Sequence, residues 1–131
     1  MKVSADTNVL VRMLIEDDEM QAAAVKKVFR KAEMIVASCP ALCEVVWILR
    51  SVYKLRRDDI ASALRTLLDT ENLVFDRKPV YTGLATLEAG GDFADGVIAA
   101  ESERLGGETF LSFDKKAVSL LASQGYATRL L

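Results

Sequence analysis

The sequence predicts an α/β protein: a single domain with a central, mostly parallel sheet of about five strands flanked by helices. Three observations lead there. Short β-prone runs alternate with longer helical patterns along the whole chain. The connections between them are brief. A chain of 131 residues, 51% of them hydrophobic, suits one domain with one core.

The elements follow in order. Lys2-Val3-Ser4-Ala5-Asp6 reads as the first strand, with a helix beginning near Val9. From Met20 to Ala32, Val25, Val28, Phe29 and Ala32 recur at helical spacing. Met34 to Ser38 reads as the second strand. An apolar helical stretch starts at Cys39, in which Leu42, Val45, Val46, Leu49, Val52 and Tyr53 share a face. Ile60, Leu64, Leu67 and Leu68 mark another helix, opened by Asp58 and Asp59 where the helix dipole favours acids. Leu73 to Phe75 is the third strand, and Val80, Leu84 and Leu87 mark the helix after it. Asp92 and Asp95 open the next helix, which carries Val97, Ile98 and Leu105 and stops at Gly106-Gly107. Thr109 to Phe113 is the fourth strand. Val118, Leu121 and Ala122 form a last helix ended by Gly125, and Ala127 to Leu130 the fifth strand. No repeat, low-complexity segment or linker interrupts the series, so residues 1–131 read as one domain.

Composition narrows the function classes. The charged fraction is 27% and the net charge −2, which argues against global disorder and gives no general attraction to polyanions. A nucleic-acid partner would have to be met by a local basic patch or by bound metal. No apolar run approaches the roughly 18 residues of a membrane span. The amino-terminal segment reaches Asp6 too early for a signal peptide, so cytoplasmic residence is expected. Cys39 and Cys43 lie four apart on one helix, which favours free or buried thiols over a disulfide. The chain has no His. That removes the usual general base and the usual transition-metal ligand, and with them Ser-His-Asp and Cys-His catalysis.

The acids carry the functional signal. Asp6 and Asp114 close strand-like runs, Glu44 is the only charge between Cys39 and Leu49, and Asp92 and Asp95 open a helix. In parallel α/β sheets, ligands bind beyond the carboxyl ends of the strands, and these acids are expected to face that edge. Two like charges about 4 Å apart repel by roughly 4 kcal/mol at an effective dielectric of about 20, so a cluster calls for a positive partner, most simply a divalent metal ion. Each acid also has a structural reading. Asp6-Thr7-Asn8 can cap the first helix. Asp92 and Asp95 resemble an imperfect capping box. Asp114 can cap the last helix. Glu44, set among apolar residues, is expected to be partly buried and to need a cation.

The basic residues speak less clearly. Lys26, Lys27, Arg30 and Lys31 form the polar face of an amphipathic helix. Arg56, Arg57, Arg77 and Lys78 fall where loops are expected and are candidates for nucleic-acid phosphate contacts. Trp47, Ile48 and Tyr53 belong either to the core or to a dimer surface.

With these residues in view, the chain resembles the PIN-domain proteins, and among them the VapC-type toxins of toxin–antitoxin pairs. The resemblance covers essentially the whole chain. It rests on Asp6-Thr7-Asn8, on Glu44, on Asp92-Phe93-Ala94-Asp95-Gly96-Val97-Ile98-Ala99-Ala100 and on Phe113-Asp114-Lys115-Lys116-Ala117. The third segment is the most specific. The resemblance implies that Asp6, Glu44, Asp95 and Asp114 form an acidic, catalytic and metal-holding quartet, with Asp92 as an additional metal-site acid. Thr7, Asn8 and Ser112 would support them. It further implies a metal-dependent endoribonuclease that dimerises and is neutralised by a small antitoxin protein.

Carboxylates without His or Cys are hard ligands, suited to one or two Mg²⁺ or Mn²⁺ ions. The expected reaction is hydrolysis of RNA phosphodiester bonds by a metal-activated water. The alternative of a different class is a catalytically silent PIN-like binding module that acts through protein partners; an intact acid set argues against it. A phosphoryl-transfer domain is also disfavoured. Haloacid-dehalogenase-type phosphatases want a second acid where Asn8 stands, and response-regulator receivers want adjacent acids after the first strand.

Overall fold

The computed structural model describes residues 1–131 and contains seven helices and five strands. By packing, the chain divides into two compact units, Met1–Asp76 and Arg77–Leu131.

The first unit is built on three parallel strands in the order β1 (Lys2–Ser4), β2 (Met34–Val36) and β3 (Leu73–Val74). Val3 lies opposite Ile35, and Ile35 opposite Leu73. Four helices accompany the sheet: α1 (Thr7–Leu14), α2 (Glu19–Lys31), α3 (Cys39–Ser51) and α4 (Arg57–Leu68). Their buried positions keep the expected helical spacing. Val25 and Phe29 are buried on α2, and Ile60, Leu64, Leu67 and Leu68 on α4. Leu42, Val45, Val46 and Leu49 are buried on α3. Each such side chain contributes about 1.5–3 kcal/mol relative to staying in water. Cys39 and Cys43 are free thiols.

The second unit contains α5 (Arg77–Glu88), α6 (Phe93–Arg104), β4 (Phe110–Ser112), α7 (Lys115–Ser123) and β5 (Thr128–Leu130). β4 and β5 pair in parallel, Leu111 opposite Arg129. α5 and α6 approach so closely that two glycines meet at their crossing. A Cβ on Gly96 would fall 2.5 Å from Thr86 Oγ1 and 2.8 Å from Gly83 Cα, and one on Gly83 would fall 2.8 Å from the Phe93 carbonyl. Thr86, fully buried, donates to the Thr82 carbonyl at 2.8 Å and accepts from Gln124 Nε2 at 3.1 Å, which leaves its hydroxyl satisfied.

Three expectations are corrected. Instead of one sheet of about five strands, the strands form separate ladders of three and two. Each ladder is only two or three residues long, so pairing depends on where the helices deliver the strands and not on any signal inside them. Arg57, Arg77 and Lys78 do not lie in loops, whereas Arg56 closes the loop that precedes α4. Arg56 is the N-cap of α4 without a side-chain cap bond, Arg57 is its first residue, and Arg77 and Lys78 open α5. Cations at a helix start oppose the dipole; on α4, Asp58 and Asp59 in the first turn offset this. Glu44 is exposed, because the buried face of α3 runs through positions 42, 45, 46 and 49 and turns 44 and 47 outward. Trp47 is 64% exposed, which removes it from the core. No helix is long and apolar enough to cross a membrane.

Candidate functional site

In the first unit, the ladder carries the chain directly to its acids. The Ala5 amide donates to the Val36 carbonyl at 2.9 Å, one residue beyond the end of β1. Asp6 follows as the N-cap of α1, one carboxylate oxygen accepting from the Val9 amide at 3.0 Å. β2 runs parallel to β1 and leads through Ser38, the N-cap of α3, to Glu44. Both acids therefore sit past the carboxyl ends of parallel strands, where such sheets place ligands. Thr7 links them: its hydroxyl donates to Glu44 Oε2 at 3.1 Å. Asn8 is exposed on the first turn of α1.

The second unit gathers the other three acids at two helix starts. Asp92 caps α6, accepting from the Ala94 amide at 3.1 Å. Asp114 caps α7 with one oxygen, which accepts from the Lys116 amide at 2.9 Å and the Ala117 amide at 3.2 Å. Ser112 Oγ accepts from the Asp114 amide at 2.9 Å, which ties the end of β4 to the cap. Asp95, in the first turn of α6, is half-buried. Burial, and then the charges of Asp92 and Asp114, raise its carboxyl above the ordinary value. The helix starts themselves favour negative charge, so the shift marks a carboxylate drawn out of water and, secondarily, held close to other acids.

The capping readings and the functional readings thus hold together for Asp6, Asp92 and Asp114. A cap occupies one carboxylate oxygen and leaves the other. None of Asp6, Glu44, Asp92, Asp95 and Asp114 is in an ion pair with Lys or Arg. Several unpaired carboxylates at strand ends and helix starts are a donor set that fits a hard divalent cation.

The basic candidates have partners of their own. Lys78 pairs with Glu103 at 3.3 Å, Arg56 with Asp59 at 3.7 Å, and the Arg77 guanidinium lies 5.4 Å from the centre of the Tyr81 ring. One group escaped the sequence reading. Arg12, on α1, donates from Nε to Gln21 Oε1 at 2.7 Å and from Nη1 to Tyr53 Oη at 3.1 Å, and lies 3.2 Å from Asp17 Oδ1. Tyr53, expected in the core or at a dimer surface, donates its hydroxyl to Asp17 Oδ2 at 2.7 Å. Tyr53 and Arg12 are 41 residues apart. The only local signal was Arg12 as the single charge between Asn8 and Ile15.

These features define an α/β protein that sets uncompensated carboxylates around strand ends and helix starts. A family model described as the PIN domain matches residues 4–120, and the chain belongs to the PIN-domain family. PIN domains are generally metal-dependent nucleases. No curated protein matches the sequence.

Proposed function

We propose that the chain is a metal-dependent endoribonuclease that hydrolyses RNA phosphodiester bonds and serves as the toxin of a toxin–antitoxin pair. The observation that carries the nuclease reading is the set of acids without cationic partners, with Asp95 raised by burial and by Asp92 and Asp114. Membership of the PIN-domain family supports it. Asp6, Glu44, Asp95 and Asp114 are the carboxylates assigned to hold Mg²⁺ or Mn²⁺, one or two ions, with Asp92 in support. When bound, the metal supplies acidified water and neutralises phosphate charge, the task that the missing His leaves open.

The chain's own residues then have separate duties. Thr7 fixes one oxygen of Glu44 and leaves the other open. The caps orient Asp6, Asp92 and Asp114 through one oxygen each. Ser112 anchors Asp114 by accepting its amide, and its own O–H remains to donate to water or a phosphate oxygen.

The toxin role and the small antitoxin rest on the resemblance of the acid-bearing segments to VapC-type proteins. The homodimer has a further support: Trp47 and Val52, 64% and 61% exposed at the end of α3, form the kind of apolar surface that self-association covers.

The test is cleavage of a panel of structured RNAs with Mg²⁺ or Mn²⁺. Cutting by the wild type that disappears with EDTA and with Asp95→Asn supports the reading. Cutting that survives Asp95→Asn removes Asp95 from the site, and cutting that survives EDTA removes the metal.

A further inference from the structure

We propose that Arg12 is a phosphate-binding residue for the RNA strand, held ready by a Gln21–Tyr53–Asp17 clamp. The inference rests on the ribonuclease reading above and extends it to a residue outside the acid set.

Three observations carry it. First, Arg12 is restrained on one side only. A guanidinium has five N–H donors; Nε is spent on Gln21 and Nη1 on Tyr53 and Asp17. Nη2 has no partner. Second, Arg12 and Gln21 line a cavity of about 290 Å³ together with Asp6, Asn8 and Val9. The fixed cation thus opens onto the same space as the first acid of the site. Third, Asp6 and Arg12 are separated by six positions across the start of α1, about 9 Å along a helix axis. That backbone spacing suits neighbouring phosphates of one strand, and Arg12 is assigned to a phosphodiester next to the one being cut.

The clamp has a physical purpose in this reading. Arg12 carries the only basic side chain of α1. A free arginine loses about 2 kcal/mol of rotamer entropy when it is fixed, and three partners remove that cost before RNA arrives. Asp17 lowers the net charge of the clamp, and Arg12 keeps the planar donor edge that suits phosphate. A purely structural clamp would tie α1 to Tyr53 equally well, so the test has to read charge contact with RNA and not stability.

The experiment measures binding of a short fluorescein-labelled single-stranded RNA by fluorescence anisotropy across a KCl series. Ca²⁺ replaces Mg²⁺ so that the strand stays intact, which is checked on a gel. The logarithm of affinity falls with the logarithm of salt by about 0.7 per phosphate contact on a single strand. Arg12→Gln is expected to weaken binding and reduce the slope by about 0.7, the loss of one contact. Arg12→Lys is expected to weaken binding and keep the slope. Asn at position 17 can still accept from Tyr53 and Arg12, so Asp17→Asn removes the charge while keeping the clamp. It is expected to tighten binding more than Glu19→Gln, which removes an equivalent charge outside the clamp, and this pair decides the matter if Arg12→Gln does not fold. A wild-type slope in folded Arg12→Gln, or equal tightening by Asp17→Asn and Glu19→Gln, overturns the assignment while the ribonuclease reading stands. Failure of the wild type to bind RNA at all overturns both.

Discussion

Thr7 donates its hydroxyl to Glu44 Oε2 at 3.1 Å, and this one bond joins the acid-bearing start of α1 to the acid-bearing face of α3. Glu44 is exposed, so the bond does little for stability; a hydrogen bond of this kind contributes about 0.5–1.5 kcal/mol at most. Its use is orientation. Groups that orient a metal ligand typically change metal affinity about 10–100-fold when removed. Thr7→Val is therefore expected to unfold within a few degrees of the wild type yet bind Mn²⁺ more weakly by that factor. Equal Mn²⁺ affinity in the two proteins, read by calorimetric titration, would reduce the bond to a surface contact.

Asp6 and Asp114 each combine a cap with a charge, and substitution separates the two. Asn caps helices about as well as Asp. Asp6→Asn and Asp114→Asn are expected to keep near wild-type thermal stability and lose RNA cleavage. Asp114→Ala, which also abandons the amides of Lys116 and Ala117, is expected to lose about 1 kcal/mol more. Thermal unfolding beside a cleavage assay reads both effects. Full cleavage by either Asn variant would leave that acid with a capping role alone.

Asp95 predicts a pH dependence. Its carboxyl is raised in the folded protein, first by burial and then by Asp92 and Asp114. The folded state therefore holds the proton more tightly than the unfolded state. The stability this contributes is complete below the ordinary carboxylate range and is lost as pH rises through the raised value. In metal-free protein at neutral pH, Asp95→Asn is expected to raise the melting temperature, and the gain should shrink in mild acid. A bound divalent ion should reverse the order by stabilising only the protein that keeps its carboxylate. Parallel melting curves for the two proteins, with and without Mg²⁺, across this pH range would contradict it.

The α5–α6 crossing depends on the absence of a side chain at position 96. A methyl group there would meet Thr86 Oγ1, the Thr82 carbonyl and Gly83 at once. Backbone lies on two of those sides, so the helices have to part. Gly96→Ala is expected to cost about 1–3 kcal/mol. Because Asp95 precedes it on α6, the same change should also weaken metal binding. Denaturant unfolding would show the cost, and an unchanged midpoint would mean that the helices adjust freely.

The helices were readable in the sequence because burial follows their periodicity: Ile60, Leu64 and Leu67 are each at most 1% exposed. Asp6, Asp92 and Asp114 were readable as helix starts because capping is local chemistry. The sheet was less readable. Strands of two or three residues carry no pairing information, and β4–β5 stands as its own ladder. The apolar neighbours of Glu44 in sequence suggest burial, but the spacing of Leu42, Val45, Val46 and Leu49 turns it outward. Arg57, Arg77 and Lys78 open helices where the dipole disfavours cations, so their places were not legible; Lys78 finds its carboxylate partner, Glu103, on α6. The Arg12–Tyr53 bond spans 41 residues, and nothing local to either residue announces it.

The central claim is that the uncompensated acids hold a divalent metal, and calorimetric titration of the purified protein with Mn²⁺ tests it most directly. The account predicts saturable binding of one or two ions by the wild type and weakened or lost binding by Asp95→Asn. No saturable binding, or the same isotherm for both proteins, would contradict it.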